Sequence, residues 1–440
     1  MQTLPFGTDG VRGVAHEELT TEFVRALGAV AAQVLGAGRF YIGRDTRESG
    51  PDFTQAFADG LASAGAEPVS LGVVPTPAVA GAAATDGRPA AMISASHNPW
   101  TDNGIKLFAA GGVKLSDAVQ DEIADRLALI DSFPAPDSPA AIGNGRALVE
   151  RYGQAVEASI EGRRLDGLSV VIDCANGSNS FVAETVLREL GADVTSLFHE
   201  PDGRNINVDC GSTYPGTLQH AVVERGADLG LAFDGDADRV LAVDHTGALV
   251  DGDHLIAICA IDRKARGRLA DDRVVVTVMT NLGFRLGMQK HGITVVDTAV
   301  GDRYVLEALD RDQLNLGGEQ SGHVIFRDLA TTGDGLLTGV QVLDVVARSG
   351  QTLAALADAA MTQLPQTLVN VRVAERPDDI ATLLADDVAV AEAELGATGR
   401  VLLRSSGTEP LVRVMVEAAE QATAERIANE LAGAVTEKLA

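Results

Sequence analysis

The feature that most constrains the fold is a repeated alternation of short apolar strands with helices. Apolar runs such as Phe40–Gly43 and Val69–Val74 are followed by segments with helical periodicity, and similar blocks begin near Leu168 and Asp253. Strands that alternate with helices favour parallel pairing, because each crossover helix returns the chain to the end of the sheet where the previous strand began. The recurrence at about the size of one domain indicates three related α/β blocks.

The last segment of the chain differs from these blocks. Its predicted strands are Thr367–Val373, Arg400–Leu403 and Leu411–Val416, and its predicted helices lie near 376–394 and 420–438. The stretch Asp131–Gly145 is rich in Pro, Ala, Gly and Ser, which is typical of a connection between domains. We therefore predict three similar α/β domains with mixed sheets and a smaller C-terminal α+β domain. The predicted domains span residues 1–145, 146–251, 252–365 and 366–440.

The charge and the cysteines limit the possible functions. A formal net charge of −27 argues against binding to nucleic acid or to an anionic membrane, although a local basic pocket can still hold an anionic substrate. Cys174, Cys210 and Cys259 are odd in number and lack CxxC spacing, so neither a disulfide framework nor a zinc site is expected. With no basic leader and no long apolar run, we expect a cytoplasmic protein without a membrane span.

One polar stretch, SASHNP, follows the predicted strand Pro89–Ile93 directly. Ser96 therefore lies at the carboxyl end of a strand, which is where open α/β sheets place their ligands. A serine hydroxyl is a poor nucleophile and needs a positioned base or a metal ion. Because Ser, Asn and Pro are also common in turns, this stretch alone leaves an ordinary turn as an alternative.

A second polar stretch, DGDADR, lies between the apolar strands Leu229–Phe233 and Val240–Val243. Asp234, Asp236 and Asp238 alternate along it, so in an extended segment their carboxylates face the same way. Such carboxylates repel one another unless a cation neutralises them, and oxygen-only ligands suit a hard ion such as Mg²⁺. The apolar flanks disfavour the alternative of a solvated acidic loop. The glutamate that would complete a calcium-binding EF-hand loop is missing.

The loop GGEQSGH carries Glu319, Ser321 and His323. Two hydrogen-bonding side chains and an imidazole suit the recognition of a polyol. Histidine titrates near neutrality, so His323 can act as an acid or a base. A turn with one exposed histidine is equally compatible with this stretch.

Two further stretches carry arginine beside glycine. In RSSGTEPLVR, the main-chain N–H groups, three hydroxyls and the forks of Arg404 and Arg413 suit a phosphate, whereas a hairpin turn needs none of them. In FGTDGVRG, Arg12 is either an anion-binding group held at a cleft or a solvated side chain on a turn. Neither a Walker A loop nor a dinucleotide-binding glycine motif is present in the sequence.

Together these stretches resemble the α-D-phosphohexomutase superfamily and, within it, the bacterial phosphoglucosamine mutases. The resemblance covers the whole chain in order: FGTDGVRG, SASHNP, TDNGIK, DGDADR, VGDRYV, GGEQSGH, TTGDG and RSSGTEP. Each motif alone is weak, but the ordered set is specific. The chain departs from the family pattern at Trp100, where Tyr is expected, and at Ala299, where Pro is frequent. The resemblance implies four domains around a central cleft, each of which contributes one loop.

The resemblance also implies roles for individual residues. Ser96 would be the phosphoserine and would hold one Mg²⁺ per subunit together with Asp234, Asp236 and Asp238. Glu319 and Ser321 would contact sugar hydroxyls. The substrate phosphate would be held by Arg404, Ser406, Gly407, Thr408 and Arg413. The other residues that would line the cleft and serve catalysis are Arg12, His97, Lys106, Arg239 and His323.

The implied activity interconverts glucosamine 6-phosphate and glucosamine 1-phosphate through a phosphoserine and glucosamine 1,6-bisphosphate, for UDP-N-acetylglucosamine and cell-wall precursor synthesis. A hexose bisphosphate would be the activator and a small phosphosugar the partner, and a homodimer is left open. The alternative within the superfamily is a phosphoglucomutase/phosphomannomutase, against which Gln320 in GEQSGH favours the glucosamine branch.

Two rival classes lie outside the superfamily's mutases. A hydrolase would pass the Ser96 phosphate to water, and a closed sugar site at Glu319 with a distal phosphate cradle at Arg404 argues against it. A non-catalytic sugar-phosphate-binding protein would have no need of Ser96 or the three aspartates, and all four are present.

Overall fold

The computed structural model describes residues 4–7, 10–374, 379–405 and 410–439. The chain divides into two compact units, one formed by Met1–Met279 with Ile293–Asp358 and the other by Thr280–Gly292 with Ala359–Ala440. The first unit contains three mixed β-sheets with their helices, and the second contains one antiparallel sheet. The predicted fold class, three α/β blocks with mixed sheets and a C-terminal α+β domain, is confirmed.

The first sheet is built from the N-terminal third of the chain. Its strands are β1 (Val11–Val14), β2 (Arg39–Arg44), β3 (Glu67–Val73), β4 (Ala90–Ile93), β5 (Asp102–Ala109), β6 (Val113–Lys114) and β7 (Gly143–Asn144). Its helices are α1 (Thr21–Leu35), α2 (Gly50–Ser63), α3 (Thr76–Asp86) and α4 (Asp117–Ala128). The strand order is β1-β5-β4-β2-β3-β7, and β6 pairs with β5. The segment predicted as a connection thus also supplies β7, which pairs with β3.

The local sequence explains why α1 forms where it does. The Thr20 hydroxyl accepts the Phe23 N–H over 3.2 Å and so satisfies one of the unpaired donors at the helix start. Glycine at position 36 ends the helix. The buried side chains of α1, including Phe23 and Leu27, join Phe57 of α2 in the apolar core that supports this sheet.

The second sheet follows the same alternation of strands and helices. Its elements are α5 (Arg146–Ala158), β8 (Ser169–Asp173), α6 (Ala183–Glu189), β9 (Asp193–Leu197), α7 (Gly216–Arg225), β10 (Leu229–Phe233), β11 (Val240–Asp244) and β12 (Leu249–Val250). The strand order is β12-β11-β10-β8-β9. Strand β10 is buried along its whole length, and the acidic stretch DGDADR begins at its carboxyl end.

The third sheet completes the first unit. The elements of this part of the chain are α8 (Gly252–Ala265), β13 (Arg273–Thr277), α9 (Leu282–Lys290), β14 (Thr294–Thr298), α10 (Asp302–Asp312), β15 (Leu316–Gly318), β16 (Val324–Phe326), α11 (Gly335–Ser349) and α12 (Leu353–Ala360). The strand order is β14-β13-β15-β16. The sequence VGDRYV, which was predicted only as a motif, opens helix α10.

One four-strand arrangement recurs in all three sheets. In the first sheet β3, β2 and β4 are parallel neighbours and β5 lies antiparallel beside β4. The strands β9, β8, β10 and β11 repeat this order and these directions, and so do β14, β13, β15 and β16. The loop between the third and fourth strands therefore has an equivalent place in each sheet. These loops contain SASHNP, DGDADR and GEQSGH in turn.

The second unit contains the C-terminal sheet. Its elements are β17 (Gln366–Arg372), α13 (Ile380–Leu383), α14 (Ala385–Leu395), β18 (Arg400–Ser405), β19 (Leu411–Glu417) and α15 (Gln421–Leu439), and the strand order is β17-β19-β18. Val412, Val414 and Val416 of β19 form its core with Ile427 and Leu431 of α15.

Helix α9 belongs to this second unit although its sequence lies inside the predicted third domain. The Glu417 carboxylate accepts the Leu282 N–H over 2.8 Å and pairs with Arg400. Arg400 also donates to the Thr280 carbonyl over 2.6 Å. The domain boundaries at 252–365 and 366–440 stay a prediction.

No helix in the described ranges combines the length and apolar character needed to cross a membrane.

Candidate active site and metal centre

The three equivalent loops of the first unit bring their polar side chains together. Ser96 Oγ, just after β4, donates to Asp234 Oδ2, just after β10, over 2.7 Å. His323 Nδ1, just before β16, lies 3.7 Å from Asp238 Oδ1. Because each loop follows the third strand of its four-strand arrangement, the repeated topology supplies one polar loop from each sheet to the same cluster.

Ser96 is buried and constrained. Its side chain lies under the surface, and its φ of +52° places it in the left-handed region that non-glycine residues rarely adopt. His97 Nδ1 lies 3.4 Å from Ser96 Oγ. The His97 ring is exposed at the edge of the site, and partial desolvation together with the positive charges of Arg239 and Arg12 lowers its pKa.

The three aspartates of DGDADR form a buried carboxylate cluster. One oxygen from each of Asp234, Asp236 and Asp238 lies within 4.8 Å of the others. Asp236 Oδ1 and Asp238 Oδ1 are buried and have no hydrogen-bond partner among the residues that the structure describes. Burial raises the pKa of Asp234 well above its usual range, and the charges of Asp238 and Asp236 raise it further. These orphaned oxygens fit a hard divalent cation such as Mg²⁺.

Lys106 neutralises the other edge of this cluster. It lies on β5, opposite Met92 of β4, and its Nζ is 2.7 Å from Asp236 Oδ2 and 3.1 Å from Asp238 Oδ2. The hydroxyl of Thr76, at the start of α3, also donates to Asp236 Oδ2 over 2.6 Å. The Oδ2 atoms of Asp236 and Asp238 are thus held by the protein, whereas their Oδ1 atoms accept no hydrogen bond from the described residues.

The charge on Asp238 is favoured despite its burial. Burial alone raises the pKa of a carboxyl group, but the positive charges of Lys106 and His323 outweigh it and lower the pKa of Asp238. The cluster therefore holds carboxylates in unequal environments.

His323 is buried between two carboxylates. Its Nε2 lies 3.3 Å from Asp302 Oδ2, and Asp302 in turn pairs with Lys114. Burial lowers the pKa of His323, but the carboxylates of Asp238 and Asp302 more than offset it, so that the net change is upward. The main-chain N of Gly333 lies 3.2 Å from Nε2, and a Cβ at this position would lie 2.3 Å from the ring. Glycine in TTGDG thus permits the close approach.

Arg239 and Glu319 lie beside this cluster. The Arg239 main-chain N–H donates to Asp234 Oδ1 over 3.2 Å, and its guanidinium approaches His97 Nδ1 to 3.5 Å. Glu319 is half-buried, and its Oε1 accepts the Gly301 N–H over 3.1 Å. The negative charge of Glu319 is among those that act on the Arg239 guanidinium.

Two other predicted residues lie at the margin of the site. Arg12, on β1, is half-buried opposite Gly104 of β5, and its charge acts on His97. Ser321 is exposed at the tip of the GEQSGH loop. Gln320 of the same loop donates to Asp251 Oδ2 over 3.2 Å, so its amide anchors the loop to the start of α8.

The predicted phosphate cradle lies in the second unit. Arg404 of β18 and Arg413 of β19 are directly opposite each other in the antiparallel ladder. Like charges so placed destabilise a sheet. Partial burial and the charge of Arg413 lower the pKa of Arg404. The predicted residues Ser406, Gly407 and Thr408 lie outside the described residues.

The sequence interpretation missed several polar residues around the cluster. Thr76 bonds to Asp236, and Asp302 lies beside His323. The Ser96 loop is held by Asp45, Arg47 and Asn207. The sequence does contain one signal for two of them. In GRDTR, Asp45 and Arg47 follow the apolar strand β2, and the polar stretch SASHNP follows β4 in the same way. Asn207 lies in irregular chain without a recognisable pattern.

Comparison with known proteins shows the family to which this chain belongs. Four domains of the phosphoglucomutase/phosphomannomutase family match consecutive parts of the chain. They are alpha/beta/alpha domain I at residues 3–133, domain II at 149–247, domain III at 251–364 and the C-terminal domain at 368–434. The chain belongs to the phosphoglucomutase/phosphomannomutase family.

Individual relatives narrow the comparison. The chain is 52% identical to the phosphoglucosamine mutase of Rhodococcus jostii, over 98% of both chains. It resembles the crystal structure of a phosphoglucomutase/phosphomannomutase family protein from Burkholderia thailandensis with a TM-score of 0.81 and 25% identity, over 98% of this chain and 97% of the other. The N-acetylphosphoglucosamine mutase of Aspergillus fumigatus in complex with GlcNAc-6P and magnesium shares the fold, with a TM-score of 0.72 and 21% identity over 99% and 95% of the chains.

The carboxylate cluster generates a prediction about metal binding. The Asp236→Asn substitution removes the negative charge of one carboxylate of the cluster. We expect it to weaken Mn²⁺ binding by at least about tenfold, because the affinity of such a site for a divalent cation depends on the charge of its ligands. Isothermal titration with Mn²⁺ measures this change. Asp244→Asn is the matched control, since Asp244 is also buried but accepts N–H groups of its own turn. Equal Mn²⁺ affinity in wild type and Asp236→Asn would contradict the assignment.

Proposed function

We propose that this protein interconverts glucosamine 6-phosphate and glucosamine 1-phosphate, by way of a phosphoserine at position 96. The observation that carries the proposal is the contact between Ser96 and the buried carboxylate cluster, in a chain that matches a phosphoglucosamine mutase over nearly its whole length. A nucleophilic oxygen beside a metal-binding cluster is the arrangement that phosphoryl transfer needs.

The residues present define where a metal ion would act. Mg²⁺ held by Asp234, Asp236, Asp238 and the phosphoserine would withdraw charge from the phosphoryl group and stabilise the serine oxygen as it leaves. Lys106 and Arg239 add fixed positive charge on the protein side. The chain thereby offsets the charge of a phosphoryl group without help from solvent.

The proposed reaction has two transfers. In the first, the 1-hydroxyl oxygen of glucosamine 6-phosphate bonds to the phosphorus on Ser96, and the bond from phosphorus to Ser96 Oγ breaks. The hydroxyl proton passes to a base, for which the imidazole of His97, with its lowered pKa, lies at the site. In the second, Ser96 Oγ bonds to the phosphorus of the 6-phosphoryl group of the resulting bisphosphate, the bond from that phosphorus to the sugar 6-oxygen breaks, and the 6-oxygen takes the proton back from the base. This step releases glucosamine 1-phosphate and restores the phosphoserine.

We propose that Arg404 and Arg413 hold the phosphate that does not undergo transfer. Arg404 and Arg413 form a pair of adjacent guanidiniums whose mutual repulsion an anion would relieve. The same pair would hold first the 6-phosphate and then the 1-phosphate, because the sugar has to turn between the two transfers. Glu319 and Ser321 would contact the sugar hydroxyls.

The proposal includes the conditions that the enzyme needs. A hexose bisphosphate is required as activator, because an unphosphorylated Ser96 must first receive a phosphoryl group. The partner is a small phosphosugar, and the net charge of −27 disfavours nucleic acid and anionic membranes as partners. We further propose that the protein works in the cytoplasm, in amino-sugar synthesis for cell-wall precursors.

The choice of sugar is the part of the proposal that most needs a test. We expect kcat/KM for glucosamine 6-phosphate to exceed the values for glucose 6-phosphate and mannose 6-phosphate by at least about tenfold, or about 1.4 kcal/mol of transition-state stabilisation. The three sugars are compared at one concentration of bisphosphate activator. A preference for glucose or mannose 6-phosphate would assign the protein to the alternative, a phosphoglucomutase/phosphomannomutase, and free phosphate as the main product would indicate a hydrolase.

The arginine pair gives a second prediction. We expect Arg404→Ala to lower kcat/KM for glucosamine 6-phosphate by about 100-fold, because a charge-assisted, forked contact to the phosphate is lost. Arg372→Ala is the matched control, since Arg372 is an exposed arginine on the neighbouring strand β17. If both variants keep the wild-type kcat/KM, the phosphate is held elsewhere.

A further inference from the structure

One buried arginine, Arg47, donates hydrogen bonds to the loop that carries Ser96. Arg47 is fully buried, and its guanidinium donates to the main-chain carbonyls of Ser96, Asn98 and Asp102, each over 2.9 Å. It also donates to the carbonyl of Pro99. These acceptors belong to the turn after β4 and to the first residue of β5. A single side chain thus binds four main-chain carbonyls around Ser96.

A carboxylate fixes the orientation of this arginine. Asp45 Oδ2 lies 2.8 Å from Arg47 Nε, and Asp45 Oδ1 accepts the Arg47 main-chain N–H over 3.0 Å. The same carboxylate accepts the Ser94 hydroxyl, and Ser94 Oγ accepts the Ser96 N–H over 2.9 Å. The pair of Asp45 and Arg47 therefore holds Ser96 through both its N–H and its carbonyl group.

A second residue reaches the same carbonyls from the second sheet's part of the chain. Asn207 is buried, and its Nδ2 donates to the Ser96 carbonyl over 2.9 Å and to the Asn98 carbonyl over 3.1 Å. Its own main-chain N–H is bound by the Ala175 carbonyl. At Gly235, inside DGDADR, a Cβ would lie 2.6 Å from the Ser96 carbonyl oxygen. The Ser96 carbonyl is thus packed directly against the metal-binding loop.

These contacts account for the unusual backbone of Ser96. A non-glycine residue at a φ of +52° is strained and persists only where its surroundings determine its conformation. The contacts of Arg47, Ser94 and Asn207 supply that constraint on both peptide groups of Ser96. The constraint directs Ser96 Oγ toward Asp234, and none of these three side chains reaches the reacting oxygen among the contacts that the structure describes.

We propose that Arg47 and Asn207 are positioning residues for phosphoryl transfer, which act by fixing the main chain of Ser96 against the carboxylate cluster. The inference rests on the proposed function in one respect, that Ser96 carries the phosphoryl group. Phosphoryl transfer needs little covalent help from the protein and depends on alignment, so a small displacement of Ser96 has a large effect on rate.

The test uses two variants and two matched controls in the full-length protein. Asn207→Ala removes two hydrogen bonds to the loop, and Arg47→Lys keeps the charge beside Asp45 but cannot reach all the carbonyls. Asn315→Ala is the control for Asn207, because Asn315 also makes two main-chain hydrogen bonds, to Arg268 and Ala270. Arg25→Lys is the control for Arg47, because Arg25 is a buried arginine bonded to the Phe133 carbonyl near Asp59.

The kinetic measurement separates positioning from folding. We expect Asn207→Ala and Arg47→Lys to lower kcat by about 10- to 100-fold while KM for glucosamine 6-phosphate stays within about threefold, because substrate binding does not involve these residues. The controls should lower the melting temperature to a comparable extent and leave kcat within about twofold. A wild-type kcat in both Asn207→Ala and Arg47→Lys overturns the inference, as does a loss that the two controls share.

A second measurement is independent of the enzyme's activity. Hydrogen–deuterium exchange of the peptide that contains residues 94–104 should become faster in Asn207→Ala and Arg47→Lys and stay unchanged in the controls. Unchanged exchange in both variants overturns the inference whatever the kinetics show. A wild-type protein that turns over no phosphosugar contradicts the proposed function, and the exchange experiment still decides whether Arg47 and Asn207 hold the loop.

Discussion

The rest of the site depends on the repulsion among three buried carboxylates. Asp234, Asp236 and Asp238 are brought together at the end of a fully buried strand, where water cannot screen their charges. Lys106 offsets part of this charge on the Oδ2 side, and two Oδ1 atoms have no hydrogen-bond partner in the described part of the chain. A divalent cation at these oxygens would offset the remaining repulsion, and it would lie where it can act on Ser96.

The site is assembled from three sheets that repeat one strand arrangement. Each of the three sheets has the same four-strand order, and each places a polar loop between its third and fourth strands. One loop brings a serine, the next the carboxylates and the third a glutamate with an imidazole. Because these three chemically different loops occupy equivalent positions at the ends of their sheets, they can bring a serine, carboxylates and an imidazole into one site.

Much of this arrangement was predictable from the sequence because it is encoded locally. Apolar runs followed by SASHNP or DGDADR identify both a strand and the polar group at its end. The alternation of Asp residues predicted a shared face on extended chain. The structure instead forms DGDADR as a turn, with Ala237 at a φ of +59°, and the turn brings the three carboxylates together. Other features depend on contacts between distant segments. The pairing of Lys106 with Asp236 joins residues 130 positions apart, and the bond from Asn207 to the Ser96 carbonyl joins residues 111 positions apart. Likewise, the sequence could not show that the Gln320 amide bonds to Asp251, 69 positions earlier in the chain.

A mutase passes the phosphoryl group of Ser96 to the sugar and not to water. The most direct test is a single turnover of protein labelled with radioactive phosphate at Ser96 and mixed with excess glucosamine 6-phosphate. We expect the label to appear first in glucosamine 1,6-bisphosphate and then in glucosamine 1-phosphate, and we expect Ser96→Ala to take up no label. Label released as inorganic phosphate, or normal turnover by Ser96→Ala, would contradict this expectation.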